Sequence, residues 1–425
     1  MDLKDLNIDS DILNLFNYTL NDNAKYKVKL LMAKPLQNED AVNQRQQILK
    51  GFISNIVIFS NYAYSKIDFR EVDLFLQNFT AGNYLPKFIK YRLWFSKQRY
   101  YVYRAHCVQL ILLYYKLHNQ YIKKLSTAAF PEAYKNDIRF IDAYLSGFNT
   151  AHYEDLIRKG GLRTKHILEI FKLIEKKHDD IFLFQQKYTL FEAYLSISTG
   201  IHYHNFNFPT IKDKGISLQN FYHPLLKKPV KNDITSLSNV ILLTGPNMSG
   251  KSTLLKAIGI CVYLGSLGFA VPATEASMPL YHNISVFINL NDDLQSGYSH
   301  FMTEILNLKK VVTEVSNSKK SFAIFDELFR GTNVDDALEI SSTTLKGMLN
   351  YPDSLFLVSS HLHELTTMPE VADNSIQCHY LECDLKDNTP VFTYRLKNGW
   401  SNLKIGRILF EKEGLNAIFN LQSKV

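Results

Sequence analysis

Two textures of hydrophobic patterning divide the chain near residue 205. Before it, apolar side chains recur every three to four positions, the period of an amphipathic helix. This spacing predicts a helix from Asp11 to Met32, closed ahead of Pro35, and a second from the Asn38-Glu39-Asp40 cap to about Ile58. Asn83-Tyr-Leu-Pro86 opens another, with proline in its first turn. Beyond the Gly160-Gly161 break, apolar positions from Ile167 to Leu195 keep to one face. They predict a single helix from Thr164 to Ser198, about 50 Å long at about 1.5 Å per residue.

After Phe206 the runs are short, apolar throughout and separated by Pro and Gly. Asn239–Thr244, Ser321–Phe325 and Ser354–Ser360 read as strands buried on both faces, and the segments between them read as helices. Strands alternating with helices predict a doubly wound α/β sheet. The predicted domains are therefore a helical one over 1–204 and an α/β one over 205–425.

The first of those strands runs into Gly245-Pro-Asn-Met-Ser-Gly-Lys-Ser252, which satisfies G-x-x-x-x-G-K-[ST] in full. Thr253 and the apolar residues to Tyr263 continue as a helix, so the strand–turn–helix context is present. Backbone N–H groups of Gly245, Pro246's successors Asn247, Met248, Ser249, Gly250, and the helix start at Lys251, Ser252 and Thr253 would face phosphate oxygens. Lys251 would reach the outer phosphates and the Ser252 hydroxyl would hold Mg²⁺. The second strand ends in Asp326-Glu327. Asp326 is the candidate metal carboxylate; Glu327, one residue on, could orient and polarise an attacking water. The third ends at His361, placed either to sense the γ-phosphate or simply to be satisfied structure. ATP and Mg²⁺ are the implied ligands, and hydrolysis the implied reaction.

Hydrophobic residues at 46% and charged residues at 21% are those of a globular protein, not of a disordered or membrane-spanning chain. The longest apolar stretch, Ile258–Ala273, is short for a bilayer span and holds three glycines. Four cysteines suggest no disulfide framework, and Cys378, His379 and Cys383 lack the further ligand that a structural metal needs. A cytoplasmic protein without a structural metal is the expectation. The net charge of +7 conceals an asymmetry: residues 1–230 hold 32 Lys and Arg against 21 Asp and Glu, whereas residues 231–425 hold 16 against 20. Between Asp73 and Glu132 there is no acidic side chain. Lys87, Lys90, Arg92, Lys97, Arg99 and Arg104 stand there among Tyr91, Trp94, Phe95, Tyr100, Tyr101 and Tyr103. Cations beside aromatic planes suit nucleic acid; a helix with an aromatic core face and a solvated basic face accounts for them equally well.

In order along the chain, these pieces resemble the MutS family of DNA mismatch-repair ATPases. Thr244–Thr253 is similar to that family's phosphate loop, including the Asn247-Met248 pair. Asp292-Asp-Leu-Gln-Ser-Gly-Tyr-Ser-His-Phe-Met-Thr-Glu304 resembles its signature segment, Asp326-Glu-Leu-Phe-Arg-Gly-Thr332 its Walker B block, and Ser360-His361 with Glu364-Leu365 its switch segment. Tyr222-His-Pro224 and the run from Gly399-Trp-Ser401 to Gly414 are similar to the elements before and after its ATPase core. A weaker match covers Leu15–Thr19 and Asn43–Gln46, similar to the start of its lever domain. The resemblance implies an α-helical lever domain followed by an ABC-type P-loop ATPase domain. It also implies a homodimer in which Ser299 completes the neighbour's ATP site in trans, and DNA as partner. It leaves the mismatch-reading and connector domains without a counterpart; Phe69-Arg-Glu71 has the reader's letters in the wrong setting. Tyr298 stands where arginine is usual and Phe329 where glycine is usual. The expected function is an ATPase whose nucleotide cycle controls DNA binding in repair or recombination, by backbone or shape rather than mismatch reading. The alternative is an ATP-driven switch acting on a protein partner with no DNA role.

Overall fold

The computed structural model describes residues 2–82, 96–246, 248–288, 300–317, 320–329, 332–386, 389–401, 408, 410 and 412–414. The backbone clusters into two units. One gathers Leu13–Ala33 and Gln44–Tyr203; the other gathers Met1–Ile12, Lys34–Asn43 and His204–Val425.

The first unit is helical. Its helices include Asp22–Leu31, Lys66–Thr80, Lys97–Tyr115, Glu132–Ser146, Thr150–Arg158 and Thr164–Lys176, and most of Glu39–Ser54 and His178–His204. Its core is aromatic: Phe52 meets Phe191 edge-on at 4.9 Å, and Tyr144 stacks on Phe184 at 4.1 Å. The helix expected from Asp11 to Met32 is interrupted. A π-helical turn covers Ile8–Ile12, and the regular helix begins only at Asp22, where the Asn21 side chain caps the Ala24 N–H at 2.8 Å. Between them the backbone is claimed by side chains of another helix: the Tyr18 N–H donates to Ser196 Oγ and the Leu20 N–H to Glu192 Oε1. These bonds take the place of the intrahelical partners that the two N–H groups would otherwise have.

The long helix expected from Thr164 to Ser198 is two helices meeting at Lys177, which leaves helical geometry at φ −103°. Lys177 lays its ammonium over the Tyr144 ring at 5.0 Å. The second helix, His178–His204, is about 40 Å long. Glu192, on its buried face, is 1% exposed. It accepts from the Leu20 N–H (2.8 Å), Asn21 Nδ2 (3.0 Å), Tyr64 OH (2.6 Å) and Tyr62 OH (3.3 Å). Burial pushes this carboxyl above its ordinary range, against the pull of those donors.

The second unit holds two sheets. In the smaller, β1 (Thr210–Ile211), β5 (Glu275–Met278), β2 (Ile216–Phe221) and β3 (Asn232–Ser236) lie side by side in the order β1-β5-β2-β3. In the larger the order is β10-β9-β4-β8-β7-β6, from β4 (Val240–Thr244), β6 (Asn283–Phe287), β7 (Ser321–Phe325), β8 (Leu355–Ser359), β9 (Ile376–Lys386) and β10 (Thr389–Asn398). All neighbours in the larger sheet are parallel except β9 and β10. Strands β4, β7 and β8 are buried at every residue, which is why their sequences run apolar without alternation. Parallel pairing brings the C-terminal ends of β4, β8, β7 and β6 to one edge: Leu243 lies opposite Ser359, Val358 opposite Phe325, and Phe325 opposite Phe287.

The chain's start belongs to this unit as well. Asp2 pairs with Ser285 alongside β6, exchanging bonds with Ile284 O (3.1 Å) and the Val286 N–H (2.9 Å). Asp5 Oδ2 then accepts the Ile288 N–H at 2.7 Å.

Candidate nucleotide site

Everything the loop needs sits at that shared edge. Strand β4 ends at Thr244, and the chain turns through Gly245 (φ +142°), Met248 (φ +70°) and Gly250 (φ +93°) into the helix Lys251–Ser266. The two glycines permit backbone that other residues rarely adopt, and the turn leaves the helix N-terminus open for an anion. Lys251 is 5% exposed and folds back over the loop. Its ammonium lies 2.8 Å from Gly245 O, 3.2 Å from Pro246 O and 3.8 Å from Glu327 Oε1. Ser249 Oγ is buried within the turn with no hydrogen-bond partner among the described residues. A buried hydroxyl without a partner is rare unless a ligand completes it.

Across the edge, Ser252 Oγ donates to Asp326 Oδ2 at 2.5 Å, which unites the first turn of the helix with the end of β7. Ser359, the last residue of β8, donates to Asp326 Oδ1 and accepts the Glu327 N–H at 2.8 Å. Glu327 (φ +55°) and Phe329 (φ +64°) both hold left-handed backbone. Such conformations cost of order 1–3 kcal/mol each and persist only where surroundings enforce them. Phe329 supplies part of that enforcement: its ring is 1% exposed and packs edge-on against Phe301 at 6.0 Å. Glycine, free of that cost, is the residue usual at this position in the family that the sequence resembles.

These donors suit Mg²⁺. One carboxylate and one hydroxyl, all oxygen, leave the remaining positions to water and phosphate, the arrangement in which this ion is usually bound. The phosphate end fits a nucleotide for the reasons given above: a glycine turn, a helix N-terminus, a poised ammonium and an orphan hydroxyl.

Beside the loop opens a cavity of about 340 Å³, lined by Tyr222, His223, Val230, Ser249, Thr253 and Tyr394 among others. Burial lowers the proton affinity of His223, helped by Lys256. Burial likewise raises that of the Tyr222 hydroxyl. A largely apolar slot with hydrogen-bonding rings, contiguous with a phosphate loop, has the character of a nucleoside pocket.

Residues 241–415 match the family model described as MutS domain V. The DNA mismatch repair protein MutS of Bacillus velezensis is 30% identical over 223 residues, covering 51% of this chain and 25% of that protein. MutS of Bacillus cereus strain B4264 is 32% identical over 199 residues, 45% of this chain and 22% of that protein. MutS of Acholeplasma laidlawii is 30% identical over 220 residues, 51% of this chain and 26% of that protein. The match thus spans about a quarter of the length of these relatives.

Within the matched segment the structure gathers Gly245, Pro246, Ser249, Gly250, Lys251, Ser252, Asp326 and Glu327 at one edge. Met248 belongs to the same turn but is 76% exposed, and Thr253 faces the neighbouring cavity. His361 is exposed two residues past the end of β8. Asn247 and Ser299 lie outside the described residues. So do Lys87, Lys90 and Arg92. Lys97 and Arg99 are exposed at the start of the helix Lys97–Tyr115, and Arg104 is half-buried further along it.

Ser359 was not among the residues the sequence singled out, although it immediately precedes the Ser360-His361 pair. Its signal was available only as a polar residue ending a strand that topology sets beside β7. Because it bonds both the candidate metal carboxylate and the Glu327 backbone, Ser359→Ala is expected to lower kcat by about 10–100-fold with an unchanged fold. Steady-state kinetics and circular dichroism check this; wild-type turnover would show that Ser359 only fills space.

Proposed function

We propose that this chain is an Mg²⁺-dependent ATPase of the ABC-type P-loop class whose nucleotide state governs binding to DNA. The observation that carries the catalytic half is the bonded series Ser252–Asp326–Ser359–Glu327, closed by Lys251 across the phosphate loop. In this reading loop N–H groups and Lys251 bind the β- and γ-phosphates. Ser252 and Asp326 hold Mg²⁺, which would neutralise charge developing on the phosphate oxygens. Glu327, anchored through its backbone, orients a water in line with the γ-phosphorus and takes up its proton. The doubly wound order, with β8 inserted between the loop strand and the carboxylate strand, supports the same class. The names of the relatives support a role in DNA repair. We further propose a homodimer, with Ser299 completing the partner's site, and a division into a lever within 1–204 and an ATPase over 205–425 that also takes in Met1–Ile12 and Lys34–Asn43.

Contact with DNA would run through the phosphate backbone. On the helix Lys97–Tyr115, Tyr103 is buried in the core, while Lys97, Arg99 and Tyr101 face solvent, where a phosphate backbone could reach them. Tyr100 OH donates to Leu162 O at 3.4 Å. That bond sets this helix start beside Arg163 and Lys165, also exposed and missed by the sequence reading.

The test is the ATPase rate with no DNA, single strand, homoduplex, mismatch and branched junction, at about 50 and 200 mM salt. Stimulation by DNA is expected, with affinity falling by orders of magnitude across that range. Neutralising Lys97, Arg99, Arg163 and Lys165 together should abolish the stimulation. Turnover indifferent to every DNA would favour the alternative, a nucleotide-driven switch acting on a protein.

A further inference from the structure

Strand β10 is irregular where it passes the phosphate loop. Phe392 pairs with Cys383 and Leu396 with Leu381, so four steps along β10 oppose two along β9. Tyr394 sits inside that bulge with φ +57°. A bulge re-aims a side chain, and left-handed backbone at a tyrosine must be enforced from outside the strand. Here the ring is aimed at the loop: a Cβ placed on Gly250 would stand 3.1 Å from Tyr394 Cδ1. Tyr394 also walls the cavity that Ser249 and Thr253 line.

The enforcement comes from the other sheet. Asn232, the first residue of β3, is buried. Its Nδ2 donates to Tyr394 O at 3.0 Å and its Oδ1 accepts the Leu396 N–H at 2.7 Å. One amide therefore satisfies a donor and an acceptor that the bulge removes from the β9–β10 ladder. Asparagine is a poor strand former, and its burial in β3 makes sense through these two bonds.

We infer that Asn232 is a positioning residue for the nucleoside end of the bound nucleotide, acting by fixing the bulge that holds the Tyr394 ring across the loop glycine. This deepens the ATPase reading and rests on it. Tyr394 supplies the contact and Asn232 the geometry, so the two act on one part of the ligand. The phosphates, held by Lys251 and the loop backbone, are indifferent to both.

The experiment compares ADP and inorganic pyrophosphate, each with Mg²⁺, by calorimetric titration of the full chain. Asn232→Ala should weaken ADP about tenfold, the scale of losing an aromatic–base contact, and leave pyrophosphate within about twofold. Tyr394→Ala should give the same selective loss, and the double variant should lose no more than either single one. Equal weakening of both ligands, or unaltered ADP affinity, overturns the proposal. Should Asn232→Ala fail to fold, Tyr394→Ala decides: a wild-type ratio of the two affinities overturns it. The underlying ATPase reading fails differently, through wild-type protein that binds neither ligand or a Lys251→Ala variant that binds both normally.

Discussion

Glu327→Gln is expected to cut the turnover of ATP by about 10²–10⁴-fold while ATP still binds. The substitution keeps the size of the side chain, the Ser359 bond to its backbone and the Asp326–Ser252 contact. It removes the carboxylate that would polarise water, together with its 3.8 Å ion pair to Lys251. Lys251→Ala is the complementary case. It deletes an ammonium already turned to the loop carbonyls, and nucleotide binding itself should collapse. Single-turnover kinetics with a separate binding titration tells these apart. A Glu327→Gln protein that hydrolyses at the wild-type rate would remove the general-base role and move attention to His361. Such an outcome would leave the phosphate loop assignment intact.

The second large effect concerns stability. Glu192→Ala should destabilise the helical unit by about 3–5 kcal/mol, because donors from Leu20, Asn21, Tyr64 and Tyr62 would lose one shared acceptor. Glu192→Gln keeps an acceptor oxygen and the volume, so it should cost far less. The two forms should also part with pH. Burial raises the folded-state pKa of Glu192 above its ordinary value of 4.5, so the folded state binds its proton more tightly than the unfolded chain does. The stability this gives is complete below the ordinary value and is lost as pH rises through the folded one. Wild-type protein should therefore lose ground to Glu192→Gln as pH rises from about 4.5. Urea midpoints for both proteins across pH 4–8 would show it. A difference that stays flat would mean that the carboxyl titrates alike in the two states.

The α/β half was legible because its signals are local. The loop, the strands ending at Thr244, Phe325 and Ser359, and the position of the pair Asp326-Glu327 can each be read within a few residues. Boundaries in the helical half were less legible. The chain between Ile12 and Asp22 is periodic enough for a helix, but Ser196 and Glu192, more than 170 positions away, take its N–H groups. The break at Lys177 did leave a local mark. Lys176-Lys177 followed by His178-Asp179-Asp180 is the charge order of one helix ending and another beginning, and hydrophobic periodicity ran across it. Asn232 and Tyr394 were not legible at all, and Ser359 only as a polar residue at a strand end. Each acts on a neighbour brought near only by strand order or by the meeting of two sheets.

The opening residues carry a consequence for handling the protein. Strand β6 ends the larger sheet, and a bare sheet margin is a template on which other chains can add strands. Asp2 and Asp5 already engage Ile284 O and the N–H groups of Val286 and Ile288 along that margin. With those groups taken, fewer are left for another chain to pair with. A shortened version starting at Leu13 would keep every residue of the phosphate site and still be prone to precipitate.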